Sequence, residues 1–315
     1  MRIKRAGLLL FTLCVAPALV FGQDAIAAGA TDKSKPVSPT TTLSFPSTAT
    51  TLTQDQIKEL IQKVADNDDK NDKVQHDYTY IEREVEHKLD GKGNTKSTET
   101  KTYEVLEIYG EQVEKLIEKD DKPLSPKDAA KEDEKIQKII DKRKNETDKQ
   151  REKRLKEEEK DREESRKWVH EISDAYNFAL VGTEPVGGRQ AWVISAEPRP
   201  GFVPHLKYAN YLPKFHGRVW IDKTDIELSK MDVECLDTVS WGLFVARLHK
   251  GTRFALQQTR VNDEVWLPQS LSFKLDARVA LLKGFKMEDE QTFRDYKKFR
   301  TDAKVTGIGE VPPEK

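Results

Sequence analysis

The segment SLSFKLDARVAL, residues 270–281, alternates apolar and polar side chains almost to its end. Its odd-numbered positions are Leu, Phe, Leu, Ala, Val and Leu, and up to residue 278 the positions between them are Ser, Lys, Asp and Arg. Successive side chains of a β-strand point to opposite faces of the sheet, so the pattern predicts a long strand with one buried face. Alternation of this kind is typical of antiparallel sheets.

The rest of the chain predicts the same architecture. Two hairpins are expected, one from His76 to Tyr109 around the turn Asp90–Asn94, and one from Tyr176 to Ala196 around Val186–Arg189. Later segments continue as meander strands, at about residues 217–222, 226–236, 243–249, 252–261, 266–282 and 287–299. No βαβ rhythm and no fixed-period repeat occurs. We predict an α+β fold, mainly antiparallel β, with helices packed on the sheet.

The first hairpin carries one strongly acidic face. Ile81, Val85 and Leu89 share one side of the predicted strand, and glutamates occupy positions 82, 84 and 86 on the other. An antiparallel sheet with one solvated face has this pattern. The glutamate face is therefore expected to lie in water.

A helix is predicted before the first hairpin. Thr53 and Gln56 have the spacing of a capping box, and Ile57, Leu60, Ile61 and Val64 fall on one stripe. An apolar stripe of this width needs a surface to cover. We expect it to lie on the sheet.

Residues 123–172 predict a charged helical insert. Ser125 and Pro126 have the N-cap and first-turn identities of a helix, and oppositely charged residues recur four positions apart. The sequence predicts a break at residues 145–148, which would give a helical hairpin anchored at both ends by its few apolar residues. A partner-docking arm, a lid and a solvated decoration are all compatible with this segment.

The chain opens with a secretory signal pattern. Arg2, Lys4 and Arg5 precede an apolar run that ends at Phe21, followed by small residues suited to cleavage. The run is short for a membrane span of roughly 20 residues, and Leu13 before Cys14 does not fit a lipobox. The predicted division is a signal peptide at 1–22, a disordered linker at 23–51, β body at 52–110 and 173–304, and a disordered tail at 305–315. Export implies the periplasm.

Composition and motifs exclude several functions. The chain has 54 basic and 55 acidic residues, which does not fit nucleic-acid binding. No later segment is apolar enough to span a bilayer. No HExxH, Gly-x-Ser-x-Gly or phosphate-binding loop is present, and Cys235 lies in mid-strand, where a cysteine is usually a small core residue. His205, His216 and Asp222 offer only a weak metal or acid–base constellation. No catalytic residue, metal or cofactor is predicted.

Aromatic residues recur along the predicted strands of the second half. A packed core explains such a pattern, and so does a groove on a curved sheet whose inner face its own side chains do not fill. In the second case an acyl chain or apolar peptide is the expected ligand. The predicted cavity residues are Trp192, Ile194, Trp220, Phe244, Phe254 and Phe273. The predicted lid residues are Ile57, Leu60, Ile61, Phe202 and Phe215.

Two motifs resemble a known family. The hairpin VGTEPVGGRQAWVI at 181–194, a Pro-containing loop, the strand GRVWIDK at 217–223 and Glu227-Leu228 are similar to outer-membrane lipoprotein-sorting proteins, the LolA/LolB-like and RseB-like group. The resemblance implies an unclosed half β-barrel with a helical lid and a cavity for lipoprotein acyl chains. The charged insert departs from the family pattern. The implied function is non-catalytic periplasmic binding of an acyl chain or lipoprotein; the alternative is an envelope sensor or interaction module that docks a protein partner through the insert.

Overall fold

A computed structural model describes residues 52–109, 111–206, 209–241, 246–279 and 284–299. The predicted signal peptide, linker and tail, and Phe244, lie outside these ranges. Thirteen strands in the described residues form one sheet, and every pairing is antiparallel. The strands are β1 Tyr78–Leu89, β2 Thr95–Ile108, β3 Glu111–Lys119, β4 Lys122–Pro123, β5 Tyr176–Val186, β6 Arg189–Pro198, β7 Phe215–Asp222, β8 Leu228–Cys235, β9 Val239–Trp241, β10 Ala246–Leu248, β11 Arg253–Val261, β12 Val265–Val279 and β13 Phe285–Lys298.

The sheet is open. Its main path runs β4-β3-β2-β1-β13-β12-β11-β8-β7-β6-β5, so β4 and β5 are its two edges. The short β9–β10 hairpin joins through β10 to the far end of β12. The predicted fold class, an unclosed antiparallel sheet with helices packed on it, is confirmed.

Helix α1 spans Gln54–Gln75 and begins as the sequence predicts. The Thr53 hydroxyl accepts a hydrogen bond from the Gln56 backbone N–H, and the Gln56 side chain accepts one from the Thr53 N–H. This capping box satisfies two backbone donors that the first turn otherwise leaves open. The apolar stripe of α1 covers β5 and β6, with Ile57 and Leu60 fully buried.

Helices α2, Pro126–Lys144, and α3, Asp148–Ala175, form the insert, with the break where the sequence predicts it. Ile136 and Ile140 of α2 pack on Ile108 at the β2–β3 end of the sheet. Trp168 and Ile172 of α3 pack beside α1 near β5. The insert therefore leads from one edge of the sheet to the other, anchored at both ends.

The structure corrects one expectation about the first hairpin and shows one strand that the sequence analysis does not predict. Glu82 is only 1% exposed, so the prediction that the glutamate face lies in water is wrong at this position. The reason is that β13 pairs with β1 and places Phe293 directly opposite Glu82. The sequence analysis also leaves β3 unassigned. A register shift between β2 and β3 interrupts the alternation that would reveal that strand.

Candidate functional site

An apolar cavity of about 190 Å³ lies between α1 and the sheet. Ile61, Val64 and Ala65 of α1 form its roof. Trp168 and Ile172 of α3 form one wall. The floor comes from β5 to β8 and from β11 and β12, and its apolar residues include Phe178, Ala196, Val219, Ile221, Leu228, Met231, Val233 and Leu256. We call the sheet face that carries these floor residues the cavity face.

The start of α1 is tied to the sheet edge. The Gln54 side-chain amide donates to the Phe178 carbonyl and accepts from the Phe178 backbone N–H. It thus occupies the place of a neighbouring strand at edge strand β5. Below the first two turns, Trp192 lies fully buried with Ile57 and Leu60.

The second half of α1 is held at a different part of the sheet. The Asn71 side chain donates to the Trp266 carbonyl at 2.6 Å and accepts from the Trp266 N–H at 2.7 Å. Asn67 donates to the carbonyls of Asp225 and Ile226, both at 3.2 Å. The roof is therefore fixed at both ends by side chains that satisfy backbone groups.

An ion-pair network supports the β7–β8 turn to which Asn67 binds. Arg189 donates to both carboxylate oxygens of Asp222 at 2.8 Å, and Asp222 is 1% exposed. Asp225 accepts from Arg189, Arg260 and the Trp266 indole N–H at 2.8–3.0 Å. The bidentate Arg189 bond keeps the pKa of Asp222 below its usual range, although burial opposes it.

Glu227, in the same turn, has the most perturbed environment of this region. Its pKa is raised to about 8, first by burial and then by the nearby carboxylates of Asp68 and Asp225, while Lys70 opposes them. Glu227 therefore keeps its proton at neutral pH. Of the groups that act on Glu227, Asp68 is the one that lines the cavity.

The cavity changes polarity along α1. Ile61, Val64 and Ala65 face it first, and Asp68, Asn71 and Gln75 follow at helical spacing. Trp266 and Pro268 line the same end, and Gln258 pairs with Pro268 across β11 and β12. We call the region around Asp68, Asn71, Gln75 and Gln258 the polar end.

The predicted cavity residues take different places. Trp192 and Ile194 lie on the cavity face and are fully buried under α1. Phe254 and Phe273 share that face with Val233, and their ring centroids are 5.0 Å apart. Trp220 lies on the opposite face, packed with Val186, Ala191 and Val193, because it alternates with the cavity-lining residues 219 and 221.

The predicted lid is brought together only in part. Ile57, Leu60 and Ile61 belong to α1, and Ile61 lines the cavity. Phe202 packs half-buried against the same cluster. Phe215 lies in a separate cluster with Cys235 and Val239, so the structure does not place it over the cavity.

The sequence analysis missed the polar end. Asp68, Asn71 and Gln258 carry no motif, and α1 was predicted to end its apolar stripe at Val64. The only available signal was the continuation of the helical period in polar residues, which reads as a solvent-facing surface. Contact of that surface with β11 and β12 depends on tertiary structure.

The weak histidine constellation does not form one site. His205 pairs with Glu171 at 3.5 Å, His216 with Glu197 at 3.4 Å, and Asp222 with Arg189. Within the described ranges, no three His, Cys, Asp or Glu side chains are arranged to hold a metal ion. Cys235 is fully buried, as predicted for a core residue. In the same ranges no helix has the length and hydropathy needed to cross a membrane.

Comparison with known proteins gives distant structural neighbours. No protein-family model matches the chain, and no curated protein sequence matches it. A domain described as an outer-membrane lipoprotein-sorting protein, from Vibrio parahaemolyticus, is 11% identical with a TM-score of 0.33, covering 78% of this chain and 94% of that one. A DUF1329 family protein from Desulfovibrio piger is 12% identical with a TM-score of 0.27, covering 78% and 95%.

A LolA superfamily protein from Nitrosomonas europaea is 8% identical with a TM-score of 0.26, covering 79% and 94%. The names of two of these three neighbours refer to lipoprotein sorting or to the LolA superfamily.

Proposed function

We propose that the protein is a non-catalytic periplasmic carrier that binds an acyl chain of a lipid or lipoprotein in the cavity beneath α1. The observation that carries the proposal is the apolar cavity itself, roofed by a helix that is fixed at both ends. The export signal in the sequence supports the compartment. A preformed apolar site with few polar groups is typical of small-molecule binding.

The cavity volume sets the size of the ligand. About 190 Å³ exceeds the roughly 150 Å³ of an apolar cavity that admits benzene, and is below the roughly 300–1,000 Å³ of pockets for drug-sized ligands. We therefore propose that a single chain segment enters. Each buried methylene would contribute about 0.8 kcal/mol.

Ligand content of the purified mature protein tests the proposal. Native mass spectrometry and lipid extraction should reveal co-purifying acyl species, and a delipidated sample should bind a C12 chain. Val219→Phe fills the cavity floor and should weaken binding at least tenfold, because the chain and the new ring compete for one space. Val181→Phe is the matched control, since residue 181 is 53% exposed on β5.

The result that would overturn the carrier proposal is an absence of binding by every C12 probe to the folded, delipidated protein. Equal binding by the Val219→Phe and Val181→Phe variants would place the ligand elsewhere. Circular dichroism on both variants separates loss of the site from loss of the fold.

A second candidate is docking of a protein partner through the insert. The observation that favours it is the middle of α3, where Leu155 is 49% exposed among charged residues. A helix of 28 residues extends about 42 Å, far more than its anchored end needs. Reversing Lys153, Lys156 and Lys160 to Glu should abolish capture of a partner by the mature protein and leave C12 binding intact. Capture unchanged by the reversal would reject this candidate.

A further inference from the structure

Among the described residues, Gln258 is the one amide on the cavity floor. It lines the cavity half-buried, directly across from Pro268. Within the described part of the chain its side chain has no hydrogen-bond partner, whereas the adjacent Gln257 donates to Gln269 at 2.7 Å. A polar group on an apolar cavity wall is stabilised when a bound ligand supplies the hydrogen-bond partner that the protein does not.

Asp68 brings a carboxylate to the same end of the cavity. It stands one helical turn before Asn71, whose side chain binds Trp266 on β12. The carboxylates of Asp68, Asp225 and Asp222 and the ammonium group of Lys70 act on Glu227 in the neighbouring β7–β8 turn, and Arg189 and Arg260 are paired with Asp222 and Asp225. Both arginines are therefore engaged with protein carboxylates.

One protein carboxyl group beside the polar end, that of Glu227, is already disfavoured in its charged form. Burial and the neighbouring acids raise the pKa of Glu227 to about 8. A ligand carboxylate placed beside Asp68 would lose hydration in the apolar cavity and would meet the negative charge of Asp68, which lines it. An uncharged head group avoids the repulsion, and its desolvation cost is smaller than that of an ion and is offset by a hydrogen bond.

We propose that the polar end selects a single-chain ligand with an uncharged, hydrogen-bonding head, such as an ester or amide, and rejects a free carboxylate. Gln258 supplies the hydrogen bond and Asp68 supplies the discrimination. The inference rests on the proposed carrier function, since it requires that a chain occupies the cavity.

Two probes with the same chain test this selection. Dodecanoate and N-methyldodecanamide are titrated separately into the delipidated mature protein at pH 7, and binding is measured by calorimetry. The amide should bind at least tenfold more tightly. Equal or tighter binding of dodecanoate overturns the selection but leaves the carrier function standing, whereas failure of both probes overturns the carrier function.

Substitutions assign the selection to the named residues. Gln258→Leu should weaken amide binding about fivefold and leave dodecanoate unchanged, and Gln257→Leu is the control because its amide bonds outside the cavity. Asp68→Asn should reduce the affinity preference for the amide over dodecanoate at least threefold. Asp66→Asn, at an exposed position of α1, is the control and should leave this preference unchanged. The ratio of the affinities for N-methyldodecanamide and dodecanoate should change in both variants. If neither Gln258→Leu nor Asp68→Asn alters it, the selection does not depend on these two residues.

Discussion

The two halves of one sheet face have opposite chemistry. A row of cross-strand neighbours on the cavity face runs from β7 to β2 through the residues Val219, Met231, Leu256, Leu271, Gln291, Glu84 and Lys101. The next row also runs from β7 to β2, through the residues Gly217, Val233, Phe254, Phe273, Asp289, Glu86 and Glu99. In both rows the change from apolar to polar falls between β12 and β13.

The comparison shows that β-strand alternation predicts which face of the sheet a residue lies on. It does not predict whether that face is exposed to solvent. In the apolar half the face is covered by α1 and encloses the cavity. In the polar half Glu82 and Asp289 are almost fully buried, and both make polar interactions. A buried carboxylate is costly unless it is paired. Burial should therefore stabilise the fold mainly in the apolar half.

Truncation of the α1 stripe should give the largest effect. Leu60→Ala removes a fully buried side chain from the cluster beneath the roof, and we expect a loss of about 2–5 kcal/mol of unfolding free energy. Denaturant titration followed by circular dichroism measures it. Leu155→Ala, at an exposed position of α3, should change stability by less than about 0.5 kcal/mol. Equal losses of unfolding free energy in Leu60→Ala and Leu155→Ala would contradict the conclusion that burial beneath α1 stabilises the fold.

Glu227→Gln should stabilise the protein at alkaline pH. Between pH 4.5 and about 8 the folded state keeps the Glu227 proton that the unfolded state loses, so stability falls as pH rises and levels off above about 8. The full shift corresponds to at most about 5 kcal/mol at about 1.4 kcal/mol per pH unit. Partial exposure reduces this, and we expect a gain of about 2–3 kcal/mol at pH 9.

The same variant should match the native protein at pH 4, where Glu227 is protonated in both states. Glu157→Gln on the exposed surface of α3 is the control and should leave stability within about 0.5 kcal/mol at both pH values. If Glu227→Gln raises the unfolding free energy equally at both pH values, the raised pKa of Glu227 is not the cause of the stabilisation.

Removal of the Asn71 side chain should have an intermediate effect. Asn71→Ala leaves the buried N–H and C=O of Trp266 without their partner, and unsatisfied buried groups cost about 1–3 kcal/mol. We expect a loss near 2 kcal/mol and faster hydrogen exchange in the second half of α1. Asn67→Ala, which leaves two half-buried carbonyls, should cost less. A loss confined to β12 would contradict the role of Asn71 as the tie of the roof.

Much of the fold followed from local pattern. The capping box of α1, the break in the insert and the long alternating strand β12 are determined by neighbouring residues, and the structure places all three as predicted. Strand β3 was missed because a register shift hides its alternation. Burial of Glu82 was missed because it depends on β13, more than 200 positions away in the chain.

The site was less predictable than the fold. Parity correctly places Trp192 and Ile194 on one face, but it cannot by itself say which of two faces is covered, and Trp220 lies on the other one. The polar end joins α1 to β11 and β12 by way of Asn71 and Trp266. No local sequence pattern predicts a contact between residues so far apart in the chain.

Loss of an ion pair in the polar half should have the smallest effect. Glu99 accepts from Lys101 at 2.8 Å and lies 3.2 Å from Lys119, and the Lys101 hydrogen bond keeps the pKa of Glu99 below its usual range. The three side chains are roughly one-quarter to one-half exposed, so water screens their attraction. Glu99→Gln should therefore cost less than about 1 kcal/mol at pH 7, and the cost should shrink in 1 M NaCl.

The depressed pKa of Glu99 also fixes the pH at which this small contribution disappears. The native protein should lose its advantage over Glu99→Gln as the pH falls through the acid range, because protonation removes the charge that both lysines attract. Denaturant titrations at pH 7 and pH 3 measure this. A cost above about 2 kcal/mol that salt does not reduce would mean that the polar half is stabilised by its charges as strongly as the apolar half is by burial.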